Sequence, residues 1–143
     1  MAKRILTPID ARDDSEAIVP IVAALARDAG STVRLLRVLP VPERVVGNLG
    51  QTVAYVDQEM ERLTNEGLAD LRRLEGELAG VPVEAVVRFG EPAAEIVLEA
   101  EVFDADLIAF GAGRAGRLRS AFTPDLAERV TRAAPVPTLT LRG

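Results

Sequence analysis

The sequence predicts an α/β protein built on an open five-stranded parallel sheet with helices on both faces. Three observations predict it. Short apolar runs alternate with stretches of helical spacing in the order βαβαβαβαβ, and that alternation belongs to parallel strands joined by crossover helices. Leu107, Ile108, Ala109 and Phe110 are apolar without alternation, as expected of a strand covered on both faces. A glycine-containing loop and a capped helix follow that run, which is the layout of an anion-binding crossover. No internal repeat, low-complexity stretch or linker interrupts the pattern, so residues 1–143 read as one domain.

Residues 4–9 form the first strand, with Ile5, Leu6 and Ile9 buried and Pro8 near the end, where a missing N–H does least harm. It ends at Asp10. Asp13, Asp14 and Ser15 are candidate caps for a first helix whose buried face is Ile18, Ile21, Val22 and Leu25; Gly30 stops it and Pro20 predicts a kink. Residues 33–39, VRLLRVL, form the second strand, closed by Pro40 and Pro42. The stretch 40–50 reads as a connector, with a lid or partner contact as the alternative.

From residue 51 to about 79, Val53, Val56, Met60, Leu63, Leu71, Leu74 and Leu78 keep helical spacing with Gly67 on the same face, predicting the longest helix. Its stripe is core packing. Residues 83–89 alternate as a half-exposed edge strand does. Pro92 then sits in the first turn of a third helix, whose buried face is Ile96, Val97, Ala100 and Phe103. After the strand at 107–110, Thr123 caps a helix with Pro124 at its first position, Asp125 in its first turn, and Leu126 and Val130 inward. Residues 136–142 form the last strand, and Pro137 restricts it to a sheet edge.

Composition removes several chemistries. There is no cysteine and no histidine, so disulfides, thiolate nucleophiles, imidazole acid–base catalysis and the usual zinc-ligand sets are absent. No Gly-Lys-Ser/Thr sequence is present, which excludes a P-loop NTPase. The net charge of −5, without a run of like charge, argues against nucleic acid and against an anionic membrane surface. The N-terminal MAKRILTPID lacks the pattern of a signal peptide and no 18-residue apolar stretch exists, so the expected location is cytoplasmic.

The stretch DLIAFGAGRAGRLRSAFTPDLAERVTRAAPVPTLTLR resembles the universal stress protein family, and ILTPID, LLRVLP and FGEP are further landmarks along nearly the whole chain. The resemblance implies strand order 3-2-1-4-5 in a nucleotide-binding, adenine nucleotide α hydrolase-like fold. Nucleotide-binding members carry Gly, two residues, Gly, nine residues, then Gly followed by Ser or Thr. Gly111 matches the first position, but Arg114, Pro124 and Asp125 occupy the other three. A frame from Gly113 recovers Gly116 yet ends on Leu126 and Ala127 and breaks the match beyond.

Those changes have physical consequences. Arg114 loses the left-handed freedom of glycine, a difference of about 1–2 kcal/mol, and Pro124 has no N–H to donate. The Asp125 carboxylate would meet a phosphate at the helix N-terminus. At about 5 Å and an effective dielectric near 20, each like-charge pair costs roughly 3 kcal/mol. Arg114, Arg117 and Arg119 are either solvated loop charges or side-chain phosphate ligands.

In nucleotide-binding relatives the adenosine lies against positions matching Pro8, Asp10 and Val38, with phosphates on the glycine loop. Asp10 is retained, while Ala11 and Arg12 replace the usual Gly-Ser. Asp10 reads equally as an acceptor closing the turn after the first strand. These positions are occupied only if a nucleotide binds. Resemblance and altered motif together lead to a non-enzymatic stress-response or regulatory protein that needs no cofactor and does not hold ATP through the usual loop. The alternative is an ATP- or AMP-binding switch, or a slow ATPase with Mg, using Asp10 and the loop arginines. A third reading is an interaction module: the resemblance implies a homodimer through antiparallel pairing of the last strands, and a protein client is a further candidate partner.

Overall fold

The structure, a computed structural model, describes residues 3–10, 16–42, 51–112 and 124–142. In chain order the elements are β1 (Arg4–Pro8), α1 (Val19–Ala29), β2 (Thr32–Leu39), α2 (Gln51–Leu74) with a 3-10 turn at Glu75–Leu78, β3 (Val83–Phe89), α3 (Pro92–Phe103), β4 (Leu107–Ala112), α4 (Pro124–Ala133) and β5 (Thr138–Arg142). All strand pairs are parallel and the sheet order is β3-β2-β1-β4-β5. That is the expected architecture.

Alternation along the central strands distributes the core. Ile5, Ile9, Val33, Leu35 and Ala109 face α1 and α2, whose Val22, Ala26, Leu71 and Leu74 cover them. Leu6, Leu36, Ile108 and Phe110 face α3 and α4, covered by Ile96, Ala100, Phe103 and Val130. Apolar runs without alternation are therefore what two covered faces require, and each fully buried Leu, Ile or Phe contributes roughly 1.5–3 kcal/mol. Among the described residues no helix is long and apolar enough to cross a membrane.

Several local expectations are corrected. The helix α1 begins at Val19, after a helical residue at Glu16 and a turn at Ala17 and Ile18, so the helical path is interrupted just ahead of Pro20, which lies in the first turn of α1 where no intrahelical N–H is needed. Ile18 serves as N-cap without a side-chain bond. This phasing puts Val19, Val22, Ala23 and Ala26 on the sheet, while Ile21 and Leu25 are exposed at 38% and 40%. Gly30 ends the helix in the left-handed region at φ 69°, as expected. The candidate caps Asp13, Asp14 and Ser15 lie outside the described residues, as do positions 43–50 of the connector and Thr123.

The long helix stops at Leu74 and tightens into the 3-10 turn, which contains Gly76. Gly67 sits where α2 packs tightly on β3: a Cβ there would lie 3.0 Å from Val87 Cγ2. On β3 the alternation is weak, because every residue but Glu84 is half-buried. The last strand begins at Thr138, not at 136; the Pro137 carbonyl still accepts from the Ile108 N–H at 3.1 Å. It forms one edge of the sheet, as Pro137 predicted.

Glu91 caps α3. Its Oε2 accepts from the Ala94 N–H at 2.8 Å and its Oε1 from Arg129 at 2.6 Å. The Ala94 N–H, with the Arg129 guanidinium beside it, holds the carboxyl below its ordinary value of 4.5. A depressed folded pKa means stability that is present above the unfolded value and is lost as pH falls through the folded one. Glu91→Ala should therefore cost about 0.5–1 kcal/mol at pH 7. Urea titrations at pH 7 and pH 3 should show the difference from the parent protein shrinking at the lower pH.

Candidate functional site at the switch point

In an open parallel sheet the crevice lies outside the carboxyl ends of two neighbouring strands whose connections leave to opposite faces. Here those strands are β1 and β4. Their pairing ends at Leu6↔Ile108, although β1 runs on to Pro8 and β4 to Ala112. Both remain paired on their outer sides. The β1–β2 ladder continues to Pro8↔Leu36, the Ile9 N–H donates to the Leu36 carbonyl at 2.7 Å, and β4–β5 continues to Ala112↔Arg142. The two strands thus part at their carboxyl ends. Thr7, the first residue past the ladder, is fully buried, and its hydroxyl has no hydrogen-bond partner among the described residues.

The topology brings four of the expected site residues to this opening. Pro8 is buried at the end of β1, Asp10 is half-buried just beyond it, and Gly111 is buried in β4. Val38, half-buried on β2, packs against the α3/α4 side of the core. Asp10 already interacts with neighbouring groups. Pro124 opens α4 and Asp125 stands exposed in its first turn, with Leu126, Ala127 and Val130 carrying the buried face. Arg114, Arg117 and Arg119 lie outside the described residues.

Two further residues escaped sequence reasoning. Arg37, in the middle of β2, is buried; its Nε donates to the Ile9 carbonyl at 3.1 Å and its Nη1 to Asp70 Oδ2 of α2 at 3.1 Å. Glu99, on the inner face of α3, is 2% exposed and accepts from Arg34 Nη1 at 2.6 Å and Arg88 Nη1 at 3.0 Å. Arg34 also meets Glu84 at 3.2 Å and lies 4.2 Å from the Phe103 ring centroid. A charge inside an otherwise apolar strand, as in LLRVL, is the only trace either partnership leaves in the sequence.

The α4 N-terminus departs from an ordinary helix start. An unmodified helix start offers free N–H donors and a positive dipole end to a phosphate. Here the first position has no N–H and the first turn holds a carboxylate. Such a start offers a phosphate one donor fewer and one negative charge more than an ordinary helix N-terminus. The apolar walls and Asp10 at the other side of the opening carry no such objection.

A doubly wound parallel sheet opening at its switch point defines an α/β protein of the ligand-crevice class. The model of the Universal stress protein family matches residues 1–142, and the chain belongs to that family. Among solved structures, it is similar to hypothetical protein MJ0577, with 24% identity over 99% of this chain and 96% of that one and a TM-score of 0.80. It is also similar to a universal stress protein in complex with cAMP, at 16% identity, 99% and 97% coverage and a TM-score of 0.64. A third is the Archaeoglobus fulgidus universal stress protein in complex with dAMP, at 20% identity, 98% and 97% coverage and a TM-score of 0.58. At these identities the similarity establishes the fold. No curated protein sequence matches this chain.

Proposed function

We propose that this universal stress protein is a non-enzymatic, cytoplasmic regulatory protein whose crevice does not hold ATP through the glycine loop. The observation that carries the proposal is the start of α4 at Pro124 with Asp125 in its first turn. Together these withdraw an N–H and add a negative charge where a triphosphate would need the opposite. The protein works as a homodimer through the edge strand β5, where Leu139 is 37% exposed.

A second reading is favoured by the parting of β1 and β4 beside Pro8, Val38 and Asp10. A nucleoside monophosphate, of the kind present in the cAMP and dAMP complexes, relies more on its adenosine end and brings less charge to α4 than a triphosphate does. Calorimetric titration with Mg-ATP and, separately, with cAMP tests both. The proposal expects no saturable heat from Mg-ATP; saturation by cAMP at one per chain would support the second reading. Saturable Mg-ATP binding at low micromolar concentration would overturn the first.

A further inference from the structure

We infer that Arg37 is a positioning residue that sets the crevice wall at Ile9–Asp10 according to the placement of α2. Both backbone groups of Ile9 are held by β2: its N–H donates to the Leu36 carbonyl at 2.7 Å and its carbonyl accepts from Arg37 Nε at 3.1 Å. The second bond uses a side chain. Asp10, the next residue, borders the opening.

The other end of the guanidinium fork belongs to α2. Asp70 Oδ2 receives Arg37 Nη1 at 3.1 Å, and Asp70 itself is 53% exposed. Gly67, one turn earlier, lies over the arginine stem; a Cβ there would be at ordinary contact distance, 3.6 Å, from Arg37 Cγ. If packing alone were required, an apolar residue at 37 would avoid the desolvation of a buried charge. A planar fork with fixed donors instead ties a helix on the surface to a carbonyl at the crevice. Displacement of α2 by an ångström or two lengthens one of the two bonds, so α2 and the Ile9–Asp10 peptide move together. A molecule that shifts α2 then alters the crevice, and a crevice ligand alters α2 in return.

The inference rests on the crevice reading above, and its test separates the two. Amide hydrogen exchange by NMR is measured at Ile9, Asp10 and Ile108 in the parent protein, Asp70→Asn, Arg37→Lys and Glu66→Ala. Glu66 also pairs with an arginine of α2, Arg62 at 2.7 Å, but touches no strand in that pair, so it serves as control. Asp70→Asn and Arg37→Lys should speed exchange at Ile9 and Asp10 at least fivefold relative to Ile108, and Glu66→Ala should leave the ratio unchanged. A purely structural role would accelerate all three amides together through global opening. That uniform acceleration, or an unchanged ratio, would overturn the inference. Where the parent protein binds cAMP, Asp70→Asn should weaken it at least threefold; if it binds none, the ligand reading fails and the exchange ratio still decides the role of Arg37.

Discussion

Replacement of Glu99 by alanine is expected to destabilise the protein by about 3 kcal/mol, lowering the melting temperature by roughly 10 °C. Glu99 is buried between Arg34 and Arg88. Removing it takes the buried partner from two guanidinium groups beneath α3. The cost falls at the lower end of the range for broken buried pairs, because Arg34 keeps Glu84 at 3.2 Å and Arg88 keeps Glu95 at 3.0 Å. The origin of the effect has a signature. Arg34→Met combined with Glu99→Leu should recover most of the loss, since Arg88 then still has Glu95 and a methionine packs on the Phe103 ring. Thermal unfolding of the single and double variants measures it. A loss under about 1 kcal/mol for Glu99→Ala would show that the buried carboxylate is not a structural element.

The second large effect concerns ligand affinity. Restoring an ordinary helix start, with Pro124→Gly and Asp125→Ser together, should raise affinity for Mg-ATP by at least tenfold. Removing one like-charge contact at the terminus is worth roughly 3 kcal/mol before solvent screening, and the exposure of Asp125 reduces that figure. A serine in the first turn adds a hydroxyl donor and glycine returns an N–H. Adding Arg114→Gly should raise the affinity further. If the double variant binds no better than the parent, the phosphates are not governed by this helix start and the loop arginines become the leading candidates.

Sheet elements were legible because each strand has a distinctive composition. IL at 5–6, LL at 35–36 and LIAF at 107–110 are the unalternated apolar pairs and runs expected of strands buried on two faces, and their order with the helices implies parallel pairing. The placement of β1 between β2 and β4 came from family resemblance, since alternation alone does not order strands. Periodicity misled at α1. Ile21 and Leu25 fit a helical stripe as well as Val22 and Ala26 do, and the choice between the faces follows from how the helix lies on the sheet.

The crevice was legible in part. Asp10 and Gly111 follow from strand ends at a switch point once the resemblance supplies the strand order, whereas Pro8 and Val38 came from the resemblance alone. The roles of Arg37 and Glu99 were not legible, because their partners stand far away in the chain: Arg34 and Glu99 are separated by 65 positions, Arg37 and Ile9 by 28. Local reading sees only a charge in a strand or a helix. Packing alone decides whether that charge is solvated or buried.

We propose above that the crevice does not hold ATP through the glycine loop. Native mass spectrometry of the protein as purified, repeated after addition of excess Mg-ATP, tests it most directly and reports the subunit number in the same spectrum. A dimer carrying no ATP adduct in either sample is the expected result. An ATP adduct saturating at one per subunit would contradict it.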